Sequence, residues 1–68
     1  MEKQTLRVVS PSGRVRKVVV GRTDTGWGEH RFAACYECHH DTPREAAIGY
    51  AHSQEWPIAH ILGPGESV

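Results

Sequence analysis

The residues with the clearest chemical potential are Cys35 and Cys38, which are separated by two residues, and His52, which follows Cys38 after thirteen more. Thiolate sulfur and imidazole nitrogen are preferred zinc ligands, and structural zinc sites hold four such ligands in a closed tetrahedron. A Cys-x2-Cys turn directs two sulfurs at one ion, and a helix packed behind that turn can supply a histidine. The spacing therefore predicts a zinc site with these three residues as ligands.

The fourth zinc ligand is expected to be His60, because a turn at residues 56–57 would fold it back toward the cysteines. His39, His30 and Asp41 remain alternatives. An open position filled by water is also possible, since catalytic zinc sites keep one.

The same cysteines also fit two other kinds of chemistry. Residues 35–39 match the C-x-x-C-H motif of c-type haem attachment, and a C-x-x-C pair also occurs in thioredoxin-like redox proteins. Haem attachment requires export, and no signal peptide is recognisable at the start of the chain. No βαβ pattern surrounds the pair, as a thioredoxin-like site would require. The alternative to any metal is a pair of free thiols that behave as small apolar side chains.

The elements that must position these residues begin with a β-hairpin. Residues 4–9 and 14–20 have strand composition, and Ser10–Gly13 between them is rich in turn residues. A loop is expected at 21–26 and a third strand at 27–34. Gly28 within that strand indicates a bulge or a close backbone approach.

A helix is expected from Thr42 to about Glu55. Thr42 and Glu45 form a capping box around Pro43, which suits the first helical position. Pro57 ends the helix, because proline disfavours helical geometry at the residue before it. The face predicted to point inward carries Ala47, Ile48, Ala51, His52 and Glu55. Gly49 costs about 1 kcal/mol relative to Ala and suggests close packing or a weak helix.

These elements predict a single α+β domain over residues 1–68, with a small antiparallel sheet of a hairpin (4–20) and a third strand, and one helix packed on it. The strand, cysteine knuckle and helix occupy 27–60. The apolar run 58–62 is expected to add a last strand or to pack across the sheet, and residues 63–68 to form a flexible tail. A chain of 68 residues buries a thin core, and a metal is a common staple at this size.

Residues 27–60 resemble a ββα, Cys2His2-like zinc finger and, more loosely, the small cysteine-pair proteins of bacteria and phages. Cys35 and Cys38 match the first two ligands of such fingers, and His52 approximates the third. Phe32 lies near the aromatic residue that precedes the knuckle, and Ile48 near the core leucine. The resemblance implies a zinc-finger-like fold with Zn²⁺ as a structural cofactor.

The charge is divided between the two parts of the chain, although the net charge is zero. Residues 1–22 hold six basic residues and one acid, and residues 23–68 hold seven acids and two basic residues. A basic hairpin suggests a surface for a polyanion. The candidate nucleic-acid-binding residues are Arg7, Arg14, Arg16, Lys17 and Arg22. Arg14 and Arg16, with Arg7, are expected to share one face of the hairpin.

The sequence thus favours a small zinc-binding protein that binds nucleic acid or acts as a regulator through its hairpin. The alternative is a protein-interaction module with Tyr50 and Trp56 as exposed anchors. Enzyme activity is not expected, because a catalytic pocket is hard to build in so small a domain. No apolar run reaches the length of about 20 residues that a membrane helix needs, and a cytoplasmic location is expected.

Overall fold

The computed structural model describes residues 2–67 and contains five strands and one helix. In chain order they are β1 (Glu2–Val9), β2 (Val15–Thr23), β3 (Gly26–Arg31), β4 (Ala34–His40), α1 (Pro43–Ser53) and β5 (His60–Leu62). No helix within the described residues has the length and apolar character needed to cross a membrane.

The strands form one antiparallel sheet in the order β4-β3-β2-β1-β5, with α1 packed on one face. The predicted α+β class, the hairpin and the helix on an antiparallel sheet are confirmed. The apolar run 58–62 contributes β5, which pairs with β1 only at Arg7–Val9. The rest of β1, toward its start, therefore forms an edge of the sheet.

Alternation along the strands divides the sheet into two faces. Successive side chains of a strand point to opposite faces, and residues directly paired across strands share a face. Leu6 pairs with Val18, and both are buried beneath α1. This helix-covered face holds the core, whose buried members are Leu6, Val8, Val18, Val20, Trp27, Ala46, Ala47, Ala51 and Ile61. We call the opposite side, which α1 does not cover, the open face.

The helix begins as predicted, with the Thr42 side chain as its cap. The backbone N–H of Glu45 donates to Thr42 Oγ1 at 3.1 Å, and Pro43 is the first helical residue. The Glu45 carboxylate accepts from the N–H of Asp41, one residue before the expected partner. The helix ends at Ser53, two residues before the expected end.

The buried face of α1 differs from the expected one. Ala46, Ala47 and Ala51 are buried against the sheet, whereas His52 is exposed. The prediction that His52 faces inward is wrong, because three small alanines seat the helix on the sheet and turn the next position toward solvent.

The expected knuckle at the cysteines is a strand, β4, that contains a bulge. A two-residue loop, Phe32–Ala33, turns β3 into β4. Residues 36–40 of β4 then span only Trp27–Glu29 of β3, and Glu37 has a φ of 51°. Gly28 makes this possible: a Cβ there would lie against the carbonyl oxygen of Tyr36 and 2.8 Å from Cys38 Cα. The close approach predicted for Gly28 is confirmed.

The segment after β5 folds back instead of extending as a loose tail. The Glu66 N–H donates to the carbonyl of Gly63 at 3.1 Å, and the Glu66 side chain accepts from the Gly63 N–H and pairs with Arg44. Two more hydrogen bonds come from arginines, one from Arg7 to the Glu66 carbonyl and one from Arg44 to the Ile61 carbonyl. No sequence pattern indicated that Glu66 would have these partners. Val68, the last residue of the expected tail, lies outside the described residues.

Candidate nucleic-acid interface and the cysteine pair

Three basic side chains lie together on the open face of the hairpin. Arg7 pairs directly with Lys17 across β1 and β2, and Lys3 lies four residues before Arg7 on the same strand and therefore on the same face. Lys3 and Lys17 are exposed, and Arg7 is half-buried. Strand pairing thus concentrates three positive charges on one surface of a chain whose net charge is zero.

A groove runs along these residues beside the edge of β1. Its volume is about 840 Å³. The residues that line it, which we call the basic groove, are Lys3, Gln4, Thr5, Arg7, Lys17, Gly63, Pro64 and Gly65. The folded segment after β5 forms one wall, and β1 and β2 form the other.

The positive charge of the groove is not neutralised by the neighbouring acid, Glu66, because the Glu66 carboxylate has other partners. The Arg7 guanidinium donates to the backbone carbonyl of Glu66, which orients the arginine without neutralising it. The Glu66 carboxylate is paired with Arg44 of α1 and with the N–H of Gly63. Among the described residues, those that line the groove include no acid. A phosphate could therefore approach three cations without meeting a carboxylate among the lining side chains.

The other predicted basic residues do not join this surface. Arg16 pairs with Val8 and lies on the helix-covered face, where its guanidinium carbon is 4.5 Å from the centroid of the Trp56 ring. Arg22 is on that face too and is 3.5 Å from Glu2. Arg14 precedes β2 in the exposed turn. The expectation that Arg7 shares a face with Arg16 is wrong, because their pairing positions differ by one residue.

Lys3 was not among the predicted nucleic-acid-binding residues, because the first strand was expected to begin at residue 4. The signal that could have found it is its spacing of four residues from Arg7, an even number that puts both on one face of a strand. The position of Lys17 beside them depends on the register of the hairpin, which the turn sequence alone does not determine.

Cys35 and Cys38 are joined in a disulfide. The bulge at Glu37 brings the two Cα atoms to 6.1 Å, within the usual span for such a bond. Cys35 pairs with His30 on the open face, and its sulfur lies 3.6 Å from the Gly21 carbonyl oxygen. The free thiols considered as the alternative to a metal are therefore not seen. In this state neither sulfur is a thiolate, which is the form that binds zinc.

Neither predicted histidine ligand joins the two cysteines in a group able to hold a metal within residues 2–67. His60 is in β5 and the cysteines are in β4, at opposite edges of the sheet. With three strands between, a spacing of about 4.8 Å puts these edges about 19 Å apart. Zinc ligands lie within about 2.3 Å of the ion. His52 is exposed on α1. The four predicted residues are thus not brought together.

The alternative fourth ligands do not complete a site either. Asp41 and His39 are exposed, and His30 is half-buried beside Cys35. Within residues 2–67, no three His, Cys, Asp or Glu side chains form a group able to hold a metal. Zinc binding by this chain stays a prediction from its sequence, and the donor set seen here does not fit it.

Comparison of the chain with family models, with curated proteins and with solved structures gives no match. The function is therefore inferred from the residues and their geometry.

Proposed function

We propose that this protein binds nucleic acid through the basic groove of its open face. The observation that carries the proposal is the cluster of Lys3, Arg7 and Lys17 in a groove whose lining, within residues 2–67, contains no acid. Lysine and arginine contacts to phosphates supply most of the affinity of such complexes and are largely independent of sequence. The proposal includes a cytoplasmic location, where nucleic acid is accessible.

The shape of the surface also favours contacts to phosphates over contacts to base edges. β1 and β2 present a nearly continuous ribbon, and β-ribbons are one of the forms that dock on nucleic acid. Val15 and Val19 flank Lys17 on the same face and are 48% and 38% exposed. Side chains of this kind can lie against sugars, whereas they offer no hydrogen bonds to base edges.

The experiment is a fluorescence-anisotropy titration of labelled duplex and single-stranded oligonucleotides. Lys3→Gln and Lys17→Gln are each compared with Arg22→Gln, which makes the same change of charge on the other face. Each groove variant is expected to reduce the slope of log K against log salt by about one, as loss of one phosphate contact does. Arg22→Gln is expected to leave the slope unchanged. Equal effects of all three variants would show that only overall charge matters and would reject the groove.

A protein partner is the second candidate, and the exposed valines favour it. The aromatic anchors expected from the sequence do not favour a protein partner. Tyr50 and Trp56 are half-buried and pack on each other, with 5.5 Å between their ring centroids. Retention on heparin at moderate salt supports nucleic acid binding. Co-purification of one stoichiometric protein whose binding is lost on Val15→Ser with Val19→Ser supports the second candidate.

A further inference from the structure

A second pocket lies on the opposite side of the sheet from the basic groove, between α1 and the strands β3 and β4. Its volume is about 320 Å³, which is at the lower end of the range for small-molecule sites. Glu29, Arg31, Tyr36, His40 and Tyr50 are among its lining residues. None of these residues contributes to the proposed nucleic-acid surface.

A buried carboxylate faces this pocket. Glu29 is only 9% exposed, and its Oε1 atom has no hydrogen-bond partner among residues 2–67. Its ion-pair partner among residues 2–67 is Arg31, whose Nε lies 3.6 Å from that oxygen, beyond normal hydrogen-bond length. Burying a charged oxygen is costly unless a donor reaches it, so the site favours a ligand that brings one.

An aromatic wall suited to a cation stands beside the carboxylate. The Arg31 guanidinium carbon lies 5.1 Å from the centroid of the Tyr36 ring, and the Arg31 side chain is half exposed. Ring faces attract cations by their quadrupole, and the attraction grows when water is excluded. An arginine of the chain itself thus already occupies the outer part of a cation site, where it forms an ion pair with the inner oxygen but no hydrogen bond.

The far wall depends on a glycine in the helix. A Cβ at Gly49 would lie 2.8 Å from Cε1 of His40, so the missing side chain lets the imidazole sit against α1. His40 also stacks on His39, with 4.4 Å between ring centroids. The contact of His40 with Gly49 therefore forms this wall of the pocket.

We propose that this pocket binds a primary ammonium group on a short alkyl chain, either a free amine or a lysine side chain. The ammonium donates to Glu29 Oε1, and its alkyl chain lies along Tyr36, displacing the Arg31 guanidinium outward. A compact ammonium suits a single inward oxygen better than the planar fork of a guanidinium, which favours bidentate partners.

The test is an NMR titration of the protein with n-butylamine, at a pH where the amine is charged, and with n-pentanol as the neutral control. Saturable shifts of the Glu29, Tyr36 and His40 amide signals are expected with the amine and not with the alcohol. A parallel titration with a short peptide containing one lysine, against its acetyl-lysine form, separates a lysine side chain from a free amine as the source. Absence of saturable shifts with both amine probes would overturn the proposal.

Two variants assign the binding to the proposed atoms. Glu29→Gln is expected to weaken butylamine binding roughly tenfold or more, since a hydrogen bond to a charged group is lost, whereas Glu55→Gln, an exposed change of equal charge, leaves it unchanged. Arg31→Ala removes the competing cation and is expected to strengthen binding several-fold. If Glu29→Gln does not fold, the Arg31→Ala result decides, and unchanged or weaker binding there would contradict the proposed site.

Discussion

At the scale of single residues, neighbours in the sequence have opposite roles because a strand alternates. Arg16 and Lys17 are adjacent, yet Arg16 lies over Trp56 on the helix-covered face and Lys17 lines the basic groove. The sequence indicates a basic hairpin but not how its charges divide between the two faces, because that division depends on which strand positions pair. Likewise, no pattern in the sequence indicated that Glu29, within the expected third strand, would be buried.

Gly49 offers a prediction at this scale. Ala is favoured over Gly in a helix interior by about 1 kcal/mol. In the His40→Ala background, Gly49→Ala is expected to raise the free energy of unfolding by about that amount, because the obstacle at 2.8 Å is gone. In the unaltered protein, Gly49→Ala is expected to give no such gain in the free energy of unfolding, because the His40 side chain must move to admit the added Cβ. Urea denaturation of the four proteins measures the coupling, and equal effects in both backgrounds would contradict the contact.

At the scale of elements, the helix start was predictable and β4 was not. The start of α1 is a local matter of a capping threonine followed by proline, so the sequence contains all of the required information. β4 contains two cysteines, two histidines and a glutamate, a composition that does not indicate a strand. It forms because β3 offers it an edge and because Gly28 admits its bulge, and both conditions come from tertiary structure.

The cap gives a prediction for α1. Thr42→Ala removes the acceptor for the Glu45 N–H and is expected to lower the free energy of unfolding by about 1 kcal/mol. Thr42→Ser retains the hydroxyl and is expected to lose much less. Denaturant unfolding measures both, and an equal loss for Ala and Ser would mean that the hydroxyl does not cap the helix.

Gly28 gives a prediction for the bulge in β4. Gly28→Ala is expected to lower the free energy of unfolding by about 1–3 kcal/mol, because the added Cβ meets backbone atoms of Tyr36 and Cys38 that cannot rotate away. Gly49→Ala is the matched control, since the obstacle there is the end of a side chain. Thermal or urea unfolding compares the two, and a Gly28→Ala protein as stable as the unaltered one would rule out the close approach.

At the scale of the whole molecule, the core lies between α1 and the sheet, and neither cysteine is among its members. Apolar residues from β1, β2, β3, β5 and α1 are buried together, and the cysteines lie at the edge of the sheet. The sequence correctly indicated an α+β fold with a helix on an antiparallel sheet. The sequence also predicted a zinc site at the cysteines as the centre of the fold, because the spacing of His52 resembles that of a zinc finger. The positions of β4 and β5 at opposite edges of the sheet could not be predicted from the sequence.

Native mass spectrometry tests the state of the cysteines. The disulfide predicts a protein that is two hydrogen atoms lighter than the dithiol form and free of zinc when purified without reductant. The temperature of thermal unfolding is also expected to be the same with and without a chelator. Stoichiometric zinc, together with a transition lowered by the chelator, would support the zinc site predicted from the sequence and contradict the disulfide.

The most direct test of the proposed function is an amide NMR map of the protein titrated with an unlabelled oligonucleotide at low salt. The largest shifts are expected at alternate residues of the open face, Lys3, Thr5, Arg7, Lys17 and Val19, and at Gly63–Gly65 beside them. The amide signals of α1 are expected to change little. Shifts concentrated on α1 or on β4, or no shifts at all, would contradict binding of nucleic acid in the basic groove.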